Sequence, residues 1–300
     1  RLYTMKKIIF KGCGTAIITP FTKDDKVDFE AFGKLIEYQI AEKVDAIIVC
    51  GTTGEASTMT LEERKETIKF AVQKVNKRIP VIAGTGANCT KSAIEMTKYV
   101  ESIGVDGALV VTPYYNKTTQ AGLVSHYTAI AKETNLPIIL YSVPSRTGVN
   151  ILPSTCLELS KISNIVAIKE ASGNLSQIAE IANLCGDELN IYSGNDDQIT
   201  PILSVGGIGV ISVLSNIAPN YAHNITENFF NGNIQKAINL QINAIPLIKA
   251  LFCEVNPIPV KEACNLLGFG GGTPRLPLVP LSNKGKETLK KELISFGLLK

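Results

Sequence analysis

Short runs rich in β-branched and other apolar residues alternate along the chain with longer segments whose apolar positions recur at helical spacing. The runs fall at residues 15–19, 46–50, 81–83, 108–112, 138–142, 165–169, 190–193 and 209–213. They are apolar at successive positions, as expected of strands that line a barrel interior on one face and meet helices on the other. Eight such runs, each followed by a helical segment, match the count of a closed parallel barrel.

The segments between them carry helix signals. Thr60-Leu61-Glu62-Glu63 has the capping-box pattern ahead of Ile68, Val72 and Val75, and Thr90 is expected to cap the segment that carries Ile94, Tyr99, Val100 and Ile103. Beyond Val213 no further strand pattern occurs. Residues 218–300 read as several helices punctuated by Pro257, Pro259 and a loop over 268–280. The expectation is a TIM (β/α)8 barrel over residues 5–217 with a C-terminal helical extension over 218–300. Residues 1–4, Arg1-Leu2-Tyr3-Thr4, precede Met5-Lys6-Lys7 and read as an appended remnant.

Composition sharpens this picture. A chain of 300 residues, 45% hydrophobic and 19% charged, can bury a large core; its length alone allows one barrel or two domains. The net charge of +3 and the absence of basic runs interleaved with aromatics argue against a nucleic-acid partner. Apolar runs stop after a few residues at Gly, Pro or a charge, far short of the roughly 18 needed for a membrane span, so a soluble protein is expected. Seven scattered cysteines without Cys-x-x-Cys spacing suit reduced thiols in a cytoplasmic protein. His126 and His223 lie far apart and read as surface or packing residues, which leaves little for a metal cluster or a His-based triad.

Active sites of such barrels gather where strands end. The second strand runs into Gly51-Thr52-Thr53-Gly54-Glu55, whose glycines free the backbone and whose hydroxyls and N–H groups can hold a carboxylate; a plain strand-to-helix turn fits the same pentapeptide. The sixth strand is Ile165-Val166-Ala167-Ile168-Lys169-Glu170-Ala171, and alternation sets Ala167, Lys169 and Ala171 on one face. A lysine facing a dry barrel mouth loses hydration of its ammonium, which favours a neutral amine able to attack a ketone and form a Schiff base. Taken alone, the same lysine can snorkel to solvent or pair with a carboxylate. Tyr141, on the fifth strand, shares a face with Ile139 and Val143 and is either a proton carrier or a core aromatic. Arg146 follows on the next loop and can grip a carboxylate bidentately. The fourth strand ends in Tyr114-Tyr115-Asn116, the seventh in Ser193-Gly194-Asn195-Asp196 and the eighth in Gly209-Val210-Ile211-Ser212. A lysine nucleophile, a phenol, a hydroxyl pair and an arginine together imply chemistry on 2-oxo acids.

These motifs resemble the pyruvate-dependent, Schiff-base-forming aldolase/lyase family, in its dihydrodipicolinate synthase branch, and the resemblance runs from Met5 to Lys300. It implies that Lys169 condenses with pyruvate and that Thr53, Tyr141 and Tyr115 relay protons, Tyr115 reaching into a neighbouring subunit. It implies further that Thr52 and Thr53 bind the pyruvate carboxylate, that Arg146 binds the carboxylate of aspartate semialdehyde, and that the Gly194 and Ile211 carbonyls lie close to the site. No metal or organic cofactor is implied, and the expected assembly is a cytoplasmic homotetramer built as a dimer of dimers. Sialic acid lyases and sugar-acid aldolases share the lysine, the tyrosine and the Gly-Thr-Thr/Ser-Gly-Glu turn, but generally lack the arginine at position 146. A pyruvate-releasing sugar-acid aldolase is therefore the nearest rival, and a non-catalytic binding barrel the rival from another class. Ser142 and Asn195 depart from the family's usual Asn and Asp. Leu61 and Ser92 replace the histidine and glutamate of lysine-inhibited relatives, and Arg64 stands at another variable position of that site. Asn88 and Tyr114 remain, yet weak or absent feedback by lysine is implied because the ammonium has lost its counter-charge.

Overall fold

The structure is a computed structural model that describes residues 6–300; the expected remnant at residues 1–4 lies outside the described residues. Eight strands close a barrel in chain order. They are β1 (Gly12–Ala16), β2 (Ala46–Val49), β3 (Val81–Gly84), β4 (Gly107–Val111), β5 (Ile138–Ser142), β6 (Ile165–Glu170), β7 (Asn190–Ser193) and β8 (Gly209–Ser212). The β1/β2 ladder and the ladders from β3 to β8 are parallel, as a (β/α)8 barrel requires.

β1 begins ahead of the expected residue 15. Asp45, just before β2, accepts the Cys13 N–H at Oδ2 (2.7 Å), and its own N–H donates to the Cys13 carbonyl (2.8 Å), drawing Gly12 and Cys13 into the ladder. At the other end the Ile18 N–H turns to the Asn216 side chain at 3.0 Å, so the pairing stops early.

The chain forms two compact units, Ile82–Ile211 together with the N-terminal residues up to Lys11, and Gly12–Val81 together with Ser212–Lys300. In the first, α3 (Thr90–Ser102), α4 (Gln120–Lys132), the single turn α5 (Pro144–Thr147), α6 (Pro153–Ser160), α7 (Leu175–Cys185) and α8 (Ile199–Ser204) accompany the strands. Its core joins Leu123, Tyr127 and Ile130 of α4 with Ile178 and Ile181 of α7 and with alternate strand residues Val110, Ile138, Leu140 and Ile168. The intervening residues Leu109, Ile139, Tyr141, Ala167 and Lys169 therefore face the other way. Thr90 does not cap α3. Cys89 holds the cap position, and the Thr90 hydroxyl instead meets His126 Nδ1 at 2.9 Å.

In the second unit, α1 (Phe29–Ala41) and α2 (Leu61–Val75) follow β1 and β2. The Thr60 capping box forms as expected, with Glu63 N–H donating to Thr60 Oγ1 (3.1 Å) and Thr60 N–H to Glu63 Oε2 (2.9 Å). Helix α9 (Pro219–Phe230) packs on β1, and α10 (Ile234–Leu251), α11 (Ile258–Leu266) and α12 (Asn283–Ser295) pack in turn on α9 and on one another. The expected boundary at residue 218 falls just before α9. Pro257 and Pro259 do not interrupt a helix but open α11, where the missing N–H has no intrahelical partner to lose. No helix among the described residues is long and apolar enough to cross a membrane.

Candidate active site

Lys169 and Tyr141 are register partners across the β5/β6 ladder, so the pleat sends both side chains the same way. Both are buried, at 6% exposure each. The ammonium lies over the phenol ring, 4.3 Å from its centroid. Among the described residues no carboxylate pairs with Lys169, and neither its Nζ nor the Tyr141 hydroxyl is spent on a hydrogen bond within the protein. The alternatives of a snorkelling or ion-paired lysine do not describe it. On β7 the register partner of Lys169 is Tyr192, stacked on Phe10 (centroids 4.4 Å apart) with its hydroxyl donating to the Phe10 carbonyl at 2.6 Å. The lysine is thus flanked by two aromatic neighbours and no counter-ion.

The opposite face of the same strand ends is polar in a different manner. Glu170, register partner of Ser142, is fully buried and accepts from Ser172 N (2.8 Å), Ser172 Oγ (2.8 Å) and Gln177 Nε2 (2.8 Å). Burial raises its carboxyl above the ordinary range against those hydrogen bonds. The Ser142 hydroxyl donates to Asn150 Oδ1 at 3.1 Å, and Asn150 also pairs with Gln177. Ser142 therefore belongs to a network that secures β5 and β6 from the helix side.

Gly194 closes on this region because its N–H donates to the Glu170 carbonyl at 2.7 Å, and a Cβ there would meet Ala171 Cβ at 2.6 Å. Ser193 Oγ donates to the Asn195 carbonyl (2.7 Å) and accepts the Asn195 N–H (3.2 Å), turning the chain sharply after β7. Ile211 is fully buried on β8. Arg146 lies on α5, exposed, in a turn closed by Thr147 and Gly148 amides donating to the Val143 and Pro144 carbonyls (3.1 and 2.9 Å). Tyr115 stands out at 92% exposure on a left-handed backbone (φ 71°), with Asn116 Nδ2 donating to the Asn88 carbonyl at 2.9 Å beside it.

The second unit carries Thr52 and Thr53. The Glu55 N–H donates to the Thr52 carbonyl at 3.1 Å, while the Thr52 and Thr53 N–H groups donate to nothing among the described residues. Thr53 is buried, and its Oγ1 accepts from Asn256 Nδ2 at 3.0 Å. Glu55, on a left-handed backbone (φ 54°), is gripped by Lys261 Nζ at 2.6 Å, both side chains almost wholly excluded from water. Lys261 also donates to the carbonyls of Thr19 (3.0 Å) and Thr273 (3.3 Å), and the Arg275 N–H donates to the other Glu55 oxygen at 3.0 Å. Burial draws the Lys261 ammonium below its ordinary range, opposed by Glu55. Arg275 in turn pairs with Glu63 (2.7 Å) and Asp25 (2.8 Å).

Sequence reasoning missed Asn256, Lys261, Arg275 and the Glu170 network. A visible signal existed for Lys261, the one cation of α11, set among Ile258, Val260, Ala263 and Cys264. His126 is buried and edge-on to Tyr127, and His223 pairs with Asp45 at 2.9 Å, which fits packing roles for both. Among the described residues no group of three or more His, Cys, Asp or Glu is placed to hold a metal ion.

A parallel barrel with a buried, unpaired lysine at the end of its sixth strand, against a tyrosine of the fifth, has the equipment of a carbonyl-condensing lyase. Residues 9–295 match the model of the dihydrodipicolinate synthetase family. The chain is 59% identical over 290 residues to the 4-hydroxy-tetrahydrodipicolinate synthase of Caldicellulosiruptor saccharolyticus, covering 97% of this chain and 98% of that protein. It is 59% identical over 292 residues to the 4-hydroxy-tetrahydrodipicolinate synthase 1 of Clostridium acetobutylicum, covering 97% and 99%. The crystal structure of dihydrodipicolinate synthase from Thermotoga maritima superimposes with a TM-score of 0.95 at 44% identity, covering 97% of this chain and 100% of that one. The chain belongs to the dihydrodipicolinate synthetase family. It is an enzyme of the lyase class.

Proposed function

We propose that this enzyme condenses pyruvate with L-aspartate 4-semialdehyde in the diaminopimelate route to lysine, through a Schiff base on Lys169. The observation that carries the assignment of the nucleophile is the burial of Lys169 against Tyr141 with no carboxylate partner. A buried lysine whose nitrogen is engaged in no ion pair is placed to attack a carbonyl carbon.

The neutral Nζ attacks the pyruvate ketone and forms the carbinolamine. Loss of water, its oxygen protonated through the Tyr141 phenol, gives the iminium. This cation draws electrons from the methyl group, whose proton leaves to give the enamine. The enamine carbon attacks the aldehyde of the semialdehyde, and the new alkoxide takes a proton. The substrate's own amine then adds to the imine carbon and displaces Nζ, closing the ring and restoring free Lys169. Thr53, Tyr141 and Tyr115 carry the protons in this reading. The uncommitted N–H groups of Thr52 and Thr53 suit the pyruvate carboxylate, and Arg146 suits the carboxylate of the second substrate. Gly194 and Ile211 supply carbonyls at the rim. No metal or organic cofactor enters a step.

The exposed Tyr115 supports self-association in which each subunit lends its phenol to another, a homotetramer arranged as a dimer of dimers in the cytoplasm. The test is condensation of the two substrates, followed through a coupled reductase, by wild type and Lys169→Ala. Activity in the first and none in the second is expected. Pyruvate release from sialic acid or a deoxy-ketogluconate, without condensation, would assign the sugar-acid reaction instead.

A further inference from the structure

The Lys169 Nζ makes no hydrogen bond among the described residues, so where the amine stands depends on how the end of β6 is fixed. Glu170 fixes it from the helix side of the barrel wall. This carboxylate is fully buried and pairs with no cation among the described residues; one oxygen accepts Ser172 N–H and Oγ–H, and the other accepts Gln177 Nε2–H, each at 2.8 Å. The Ser172 hydroxyl oxygen takes the Asn174 N–H at 3.1 Å, which leaves its proton for Glu170. Surrounded by donors, the carboxyl has nowhere to place a proton of its own and sits there ionised. An ionised carboxylate can only accept, and that decides the orientation of the groups behind it. Gln177 has to turn its Nε2 to Glu170, so its Oε1 faces away and accepts Asn150 Nδ2–H at 2.6 Å. Asn150 Oδ1 is then placed to accept the Ser142 hydroxyl at 3.1 Å. The donors of this chain run one way, from Ser142 on β5 to Glu170 on β6. Its two ends are register partners, one step along from the register partners Tyr141 and Lys169.

We propose that Glu170 is a positioning residue for Lys169: by orienting the amide chain that ties β5 to β6 behind the site, it fixes where the amine stands against the Tyr141 phenol. The inference rests on the reading of Lys169 as the nucleophile, and the two are separable by experiment. A buried carboxylate without a cation is costly, and a glutamine fills the same volume without the charge. Glutamine at 170, however, sets its own Nε2 against the Nε2 of Gln177. Relief requires Gln177 and then Asn150 to flip, which leaves the Ser142 proton without its acceptor. Exchanging the two residues, Glu170→Gln with Gln177→Glu, keeps the net charge and gives every donor of the chain an acceptor again, because a carboxylate at 177 accepts from both neighbours.

The experiment mixes wild type, Glu170→Gln and the exchanged variant with pyruvate over a range of concentrations, quenches with borohydride at successive times, and quantifies the reduced adduct on the Lys169 peptide by mass. Far-UV circular dichroism melts accompany every variant. Glu170→Gln is expected to lower the maximal rate of adduct formation about tenfold, the worth of a hydrogen bond to a charged group, with the pyruvate concentration at half-maximal rate unchanged. The exchanged variant is expected to regain most of that rate. No adduct on Lys169 in wild type would overturn the reading of Lys169 and this inference with it. A wild-type adduct beside a Glu170→Gln that reacts at the wild-type rate would overturn the inference alone. So would a loss that the exchange does not recover, or one confined to the half-maximal concentration. Should Glu170→Gln lack a cooperative melt, Ser142→Ala cuts the far end of the chain and leaves the donors around Glu170 in place; it is expected to slow adduct formation in the same pattern, and a wild-type rate there would overturn the inference.

Discussion

Lys261→Met should unfold the enzyme at a markedly lower temperature, because among the described residues the lysine is the sole cation within ion-pair reach of Glu55, a carboxylate that water does not reach. All three of its donors are engaged, to Glu55 Oε1 (2.6 Å), the Thr19 carbonyl (3.0 Å) and the Thr273 carbonyl (3.3 Å). Methionine fills a similar volume, so the change strips charge and donors while leaving little cavity. Breaking a buried pair from one side costs about 3–5 kcal/mol. An unfolding entropy of about 2 cal/mol/K per residue gives about 0.6 kcal/mol/K for 300 residues, so the melting temperature should fall by about 5–8 °C. The chain has no tryptophan, so far-UV circular dichroism is the suitable probe. Glu55→Gln/Lys261→Met should regain most of the loss, since it buries no charge and the glutamine oxygen still accepts the Arg275 N–H. A drop below about 1 kcal/mol in the single variant, or a double variant as unstable as the single, would refute the assignment of this pair as the anchor of the 51–55 turn.

Three further outcomes follow. His223 is raised above its ordinary value chiefly by its hydrogen bond to Asp45, so its contribution is fully present below about pH 6.5 and is lost as pH rises through the higher folded value; urea midpoints of His223→Gln should match wild type at alkaline pH and fall short of it at pH near 5.5, about a unit below that reference. Arg146→Ala should lower kcat/KM for the semialdehyde about 10- to 100-fold by removing a charged hydrogen-bonding group, leaving the KM of pyruvate unchanged; an equal loss for both substrates would displace Arg146 from its assigned role. Lysine should inhibit weakly or not at all, as Leu61 offers no hydrogen bond and Ser92 no charge; half-inhibition at submillimolar lysine would contradict that reading.

Much of this was legible along the chain because barrel strands and their exits leave local marks. The ends of β5 and β7 were placed at Ser142 and Ser193, and the shared face of Lys169 and Tyr141 followed from alternation alone. β1 was expected three residues too late because its bounds are set by Asp45 and Asn216, side chains distant in sequence. Thr90 misled for a related reason: a residue able to cap a helix found a better partner in His126. The supports of the 51–55 turn were hidden most deeply. Asn256, Lys261 and Arg275 come from the far end of the chain, and nothing local says that a helix entrance 200 residues on will meet Thr53 and Glu55, a separation of 203 and 206 positions.

The central claim is that Lys169 is the nucleophile. Incubating the enzyme with pyruvate, reducing with borohydride and mapping peptides by mass should find the reduced pyruvate adduct on the peptide that carries Lys169, absent without pyruvate and absent in Lys169→Ala. An unmodified Lys169 peptide, or an adduct on Lys261 instead, would contradict the account.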